Sequence, residues 1–159
     1  MRQWTHVVGI LLMLATVACR SVEVEKVLAV TEVRTGWYDL GVIEGKNKLV
    51  PSISLKLRDE SDQPISSVQI NAIFHRVGEP EAWGEHFVKA IGTTALAPGA
   101  STPPIVLRSY LGYTGEQSRS GMLQHTSFVD ATVDIFAKHG SRTWVKLGEY
   151  TIARELLTQ

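Results

Sequence analysis

A single cysteine, Cys19, stands among 159 residues, so no disulfide forms within the chain and no paired-cysteine zinc or redox motif exists. Neither sign of charge prevails: 16 Lys plus Arg face 16 Asp plus Glu, and removing residues 1–18 takes away only Arg2. The basic stripe that a phosphate backbone requires is missing, and nucleic acid is not an expected partner. An acidic tail, a low-complexity tract and a repeat of solenoid period are missing as well. No apolar run reaches the roughly 20 residues of a bilayer-spanning helix. There is no G-x-S-x-G, no Gly-rich loop ending in Lys-Ser or Lys-Thr and no H-E-x-x-H, which removes the common hydrolase, nucleotide and zinc-protease signatures. The expectation is therefore a non-enzyme with no cofactor and no metal. What is present, 44% hydrophobic and 20% charged residues, is the composition of one globular domain. Roughly 140 residues without the leader are enough to bury a core unaided by disulfide or metal.

The N-terminus carries the strongest signal. After Arg2, an uncharged apolar run from Val7 to Leu14 continues through Ala15, Val17 and Ala18, the length and character of a secretory h-region. Small residues close it at Thr16-Val17-Ala18, and Cys19 follows directly. This junction resembles a bacterial lipoprotein signal, whose lipobox ends in a small residue and cysteine, except that Thr16 stands where leucine is usual. The resemblance implies lipidation of the Cys19 thiol and removal of residues 1–18. Thr16-x-Ala18 also fits ordinary signal-peptidase cleavage. A lone thiol in an oxidising compartment has no partner, which favours modification. Two or more acyl chains, at about 0.8 kcal/mol per buried methylene, make a stable membrane anchor. Arg20, not aspartate, follows the cysteine, which in Gram-negative lipoproteins implies sorting to the outer membrane. The expected organisation is a signal peptide over 1–18, a lipidated N-terminus and short linker over 19–26, and a β-sandwich domain over 27–159. Its expected address is the cell envelope, facing the periplasm or the exterior.

Beyond the leader the dominant period is two, the repeat of a half-buried strand. Val22, Val24 and the stretch from Val27 to Val33 read as an irregular first strand ending at Thr35-Gly36. In Leu49 to Arg58, Ile53, Leu55 and Leu57 alternate with Ser52, Ser54, Lys56 and Arg58, which predicts one buried and one wet face. The cluster Asp59-Glu60-Ser61-Asp62-Gln63-Pro64 marks a turn, after which Val68, Ile70, Ala72 and Phe74 face inward, so this pair reads as a hairpin. Phe87 to Ile91 is a short strand, and Leu96-Ala97-Pro98-Gly99 a turn. Ile105 to Ser109 follows Pro103 and Pro104, which cannot donate to a ladder, so its start belongs at a sheet edge. Phe128 to Lys138 and Arg142 to Ile152 form a last hairpin around His139-Gly140-Ser141. Helical character is confined to Ser118 to His125 and Arg154 to Leu157. About seven strands at this spacing, with no crossover helices, predict an all-β, antiparallel immunoglobulin-like or fibronectin-III-like sandwich. The segment from Leu49 to Ile65 and the turn at Leu96 to Gly99 are similar to parts of small exported bacterial domains of the FxLYD type, although the FxLYD string itself is absent. That resemblance implies a fold and an envelope address, and no activity.

Candidate binding residues lie in predicted loops, where sandwich domains commonly bind. Trp37, Tyr38, Trp83, Tyr110 and Tyr113 sit in or beside Gly-rich turns. Such rings anchor a protein partner or stack on sugars, or else Trp37 and Trp83 fold back as plugs over the open end of the sandwich. Trp144, on a strand, belongs to the core or a sheet surface. The segment from Ser109 to Gly121 is long, polar and glycine-punctuated, which marks functional or mobile loops. With Arg108, Tyr110, Tyr113, Glu116, Gln117 and Arg119 it offers a mixed surface for an envelope protein, the leading expectation; a glycan is the alternative. His86, His125 and His139 with Glu85 or Asp130 have the chemistry of a metal site, and Glu79, Glu81, Glu85, Asp39 and Glu44 that of a glycosidase pair. Their spacing singles out neither.

Overall fold

The computed structural model describes residues 22–157; Cys19 and the leader lie outside them. A single turn of helix, α1 (Val24–Val27), leads into β1 (Leu28–Ile43) and β2 (Lys46–Asp59). These are followed by β3 (Val68–Arg76), β4 (Gly84–Ile91), β5 (Ile105–Arg108), β6 (Tyr113–Gly115), α2 (Arg119–Gln124), β7 (Ala131–His139), β8 (Val145–Thr151) and β9 (Leu156–Leu157). The strands form two sheets. The first has the order β5-β2-β1-β9, with β6 also on β2, and the second has the order β4-β3-β7-β8. Every pairing is antiparallel except β1 with β9. The architecture is the expected immunoglobulin-like sandwich, its seven longer strands supplemented by the short β6 and β9. Among the described residues no helix is long and apolar enough to cross a membrane.

The alternation in the sequence builds the core. Ile53, Leu55 and Leu57 of β2 and Val68, Ile70, Ala72 and Phe74 of β3 are wholly buried, as are Val133, Ile135 and Ala137 of β7. Burying a side chain of this kind contributes about 1.5–3 kcal/mol. β2 and β3 are, however, not a hairpin: they lie in opposite sheets and meet across the core. The connection between them, residues 60–67, changes sheets, with Ile65 bridged to Leu96 and Ser67 at φ 55°. Two strands with inward faces of the same period satisfy the core equally well side by side or face to face.

Three further expectations are corrected. β1 does not stop at Gly36 but runs on to Ile43 and turns through Glu44 (φ 52°) and Gly45 (φ 78°) into Lys46. Two consecutive positive φ values form the two-residue turn whose twist suits a hairpin, and Glu44-Gly45 was its sequence signal. Arg154 to Leu157 is not helical, because Trp37 and Tyr38 take Leu156 and Leu157 as parallel strand partners. Val22 and Val24 are not strand; Val24 is buried in α1, so packing begins inside the segment expected as linker.

The sandwich has two distinct ends. At the entry end, α1 lies with the loops at 60–67 and 92–104 and the β7–β8 turn. At the far end are the β1–β2 turn, the β3–β4 loop and α2. Both open sides are closed by side chains. His86 of β4 accepts the Arg108 N–H of β5 at Nδ1 (2.9 Å), and Thr35 of β1 donates to the Thr151 carbonyl of β8 (2.9 Å).

Candidate partner-binding face

The predicted aromatic residues separate into two groups. Trp37 lies in the middle of β1, not in a turn, and has no exposed surface. Its ring is 4.6 Å from Phe128, 5.6 Å from Tyr113 and 6.2 Å from Trp83. Trp83 and Tyr113 are 5.1 Å apart, and Tyr113 donates its hydroxyl proton to the Val129 carbonyl (3.2 Å). These four rings plug the far end of the core, so Trp37 is corrected from partner contact to plug, with Trp83 and Tyr113 half-buried beside it. Packing at tilted angles is the favourable arrangement for aromatic quadrupoles.

Tyr113 is held there by the local chain path. The expected loop from Ser109 to Gly121 contains β6 and the start of α2: β5 breaks at Ser109, whose N–H bonds the Pro51 carbonyl (3.0 Å), and pairing with β2 resumes at β6. The break needs Gly112, because a Cβ there would lie 2.0 Å from the Leu49 carbonyl oxygen. Ser118 then caps α2, its hydroxyl accepting from the Gly121 N–H (3.2 Å). Glu116 and Gln117 are exposed in the short link between β6 and α2. Gln117 offers its carbonyl to Asn47, and Arg119 pairs with Asp39 of β1. Among the described residues, then, Glu116 and Gln117 face solvent while Arg119 is used to fasten α2.

The second group lies on the outer face of the first sheet. Tyr38 is opposite Val50, and Arg108 opposite Ser52. The Arg108 guanidinium sits 3.4 Å from the centre of the Tyr38 ring. To reach β1 from β5 it must cross β2, and it covers that strand as it does so. This explains why Val50 and Ser52, on the side predicted to be wet, have no exposed surface. The same sheet exposes Val106, Tyr110 (63% exposed) and Leu111 on the β5 edge and Leu40, Val42 (64%) and Ile43 toward the β1–β2 turn, while Leu156 of β9, in register with Trp37, lies at the other edge beside Leu123 of α2. These aliphatic positions were not singled out in the sequence, since an alternating strand does not say which of its outward residues a neighbour will cover.

The other candidates stay apart. His86 bonds the β5 backbone, His125 accepts the Ser127 N–H (3.2 Å) beyond α2, and His139 ends β7 at the entry end. Among the described residues no three His, Cys, Asp or Glu side chains are grouped to share a metal ion. Glu79 pairs with Arg76, Asp39 with Arg119, and Glu85 accepts from Asn71. Trp144 lies on the outside of the second sheet, edge-on to Phe87 at 84° and 4.8 Å from the Lys138 ammonium.

No family model matches the chain. No curated protein matches it. Among solved structures it is similar to Northeast Structural Genomics Consortium target SoR45, at 14% identity over 82% of this chain and 89% of that one, TM-score 0.42. A protein from Archaeoglobus fulgidus is 14% identical over 79% of this chain and 98% of that one, TM-score 0.39. A GH20 exo-β-N-acetylglucosaminidase from Vibrio harveyi is 16% identical over 73% of this chain but only 17% of its own, TM-score 0.28.

Proposed function

We propose that the protein is a non-enzymatic binding module tethered to the cell envelope by a lipid on Cys19, an accessory lipoprotein that docks on another envelope protein. The observation that carries this reading is the run of exposed Val106, Tyr110 and Leu111 along the β5 edge beside the Arg108–Tyr38 strap, on a sheet that also exposes Leu40 and Val42 toward its far turn. Grouped exposed apolar side chains mark interaction sites on soluble domains. Apolar side chains beside the Arg108 guanidinium, with Lys46 and Glu44 in the turn beyond, have the composition of a protein contact. A glycan platform would instead need exposed, near-coplanar rings. Trp37, Trp83 and Tyr113 are turned into the plug, and the Phe87–Trp144 pair is edge-on, so protein is the favoured partner. Tyr38 is ten residues along β1 from the entry end, roughly 33 Å of extended strand, and the proposed anchor at Cys19 precedes that end in the sequence.

The test places a photo-crosslinking amino acid at Leu111 in the full-length chain in intact cells, with the Cys19→Ser form in parallel. One envelope protein crosslinked from position 111 but not from Lys89, on the opposite sheet, is the expected result. Cys19→Ser should leave the detergent phase. Equal crosslinking from both faces would remove the docking reading, and retention of Cys19→Ser in detergent would remove the anchor.

A further inference from the structure

Arg108 is the one half-buried arginine among the described residues without an acid beside it. Arg76 pairs with Glu79 and Arg119 with Asp39. Arg34, Arg58 and Arg142 form no ion pair among the described residues either, but they stand in solvent, where water satisfies a guanidinium. Arg108 is different. Its Nε is buried with no hydrogen-bond partner, and one flat side of the guanidinium is pressed on the Tyr38 ring. A cation stripped of part of its water and left without a counter-charge is a cost to the free protein. Stacking also fixes the plane of the fork, so much of the rotamer entropy that arginine normally loses on binding is already lost. Val106, Tyr110 and Leu111 lie exposed along the same edge, and docking against them would expel water and strengthen any ion pair formed there.

Resting on the docking reading above, we propose that the Arg108 guanidinium, held flat on Tyr38, is the seat for a carboxylate of the protein partner: an aspartate or glutamate side chain with aliphatic neighbours. With the Nε buried, the carboxylate meets the two Nη groups end-on, where its planar oxygens accept two parallel N–H bonds, a match that an ammonium cannot reproduce. The aliphatic neighbours meet Tyr110 and Leu111. The Ser52 hydroxyl beneath is already committed to the Leu107 carbonyl (3.2 Å), so the guanidinium is the recognising group.

The experiment uses the full-length chain in nanodiscs, labelled with 15N at arginine, with the Arg108 Nε–H resonance assigned by its loss in Arg108→Lys. Acetyl-Leu-Glu-Leu-amide should shift this resonance saturably, and acetyl-Leu-Gln-Leu-amide should bind at least about tenfold more weakly, the equivalent of one charge-assisted bond. In cells, Arg108→Lys should reduce crosslinking from position 111 at least about tenfold. Tyr38→Leu, which keeps the charge but releases the fork, serves where Arg108→Lys fails to fold, and should weaken both readouts. An unmoved resonance, an equal shift with the glutamine peptide, or saturation at lower concentration by galacturonate or inorganic phosphate would overturn the proposal. Full crosslinking in Arg108→Lys would refute the seat while leaving the docking reading standing. Absence of the crosslink in the unmodified chain would defeat both.

Discussion

Replacing Trp37 separates the aromatic plug from the proposed contact face. The ring is fully buried and meets Trp83, Tyr113 and Phe128, so Trp37→Ala removes the centre of a packed cluster and leaves a cavity that three other rings cannot fill. Truncations of this kind cost about 4 kcal/mol, a large share of the roughly 5–15 kcal/mol that holds a domain folded. For a domain of this size the thermal midpoint should fall by roughly 12–16 °C. Trp37→Phe should cost far less, about 1 kcal/mol, for a specific reason: the indole Nε1 is buried without a hydrogen-bond partner. Removing that stranded donor offsets much of the lost ring area, since an unmet buried polar group costs about 1–3 kcal/mol. Urea unfolding followed by tryptophan emission gives both values, with unchanged slope as the check that the transition stays two-state. Crosslinking from position 111 should survive Trp37→Phe. The reasoning fails if Trp37→Ala costs under about 1.5 kcal/mol, or if the two variants are equally destabilised.

Gly112→Ala should be costly although the residue is in a loop, because the added Cβ meets the Leu49 carbonyl oxygen; a loss of about 2 kcal/mol or more is expected by urea unfolding, and a neutral result would mean that β6 does not pair as described. Burial raises the Tyr150 pKa above its ordinary value of 10.0. An acid whose pKa is raised by folding adds stability that is fully present below its unfolded pKa and is lost as pH rises through the folded value. Stability should therefore decline above about pH 10, and the part of that decline absent from Tyr150→Phe belongs to this residue. An identical profile in Tyr150→Phe would show that the hydroxyl is not desolvated.

Much of the fold was legible in the sequence, and the reason is local. Val68, Ile70, Ala72 and Phe74 alternate and are buried as predicted, because the pleat alone assigns successive side chains to opposite faces; the same period buries Val133, Ile135 and Ala137. Pro103 and Pro104 placed β5 at an edge, where it lies. The turn at Gly99 (φ 74°) followed from its Pro-Gly pair. The Glu44-Gly45 hairpin was also present locally but was masked by the polar residues between Gly45 and Leu49.

The proposed contact face was legible only in part. Tyr38, Arg108 and Tyr110 were singled out as binding candidates, yet nothing in the 70 positions between Tyr38 and Arg108 indicates that Arg108 reaches Tyr38 across another strand. Trp37 and Tyr38 are neighbours with opposite roles, plug and strap, because consecutive strand residues point to opposite faces. The pairing of β2 with β1 in place of β3 is equally invisible to period, since both partners offer an apolar face.

By itself the sequence determined the class of the fold, the inward residues of most strands, the turns at Gly99 and Gly140, and an N-terminal segment that resembles a lipoprotein signal. These depend on properties of neighbouring residues: alternation, backbone freedom and run length. The tertiary structure alone decided which strand lies beside which, that four rings close the far end of the core, and that Arg108 is left half-buried without an acid. Such outcomes depend on residues distant in the chain coming into register, and a hydrophobic face carries no label for the partner it will meet.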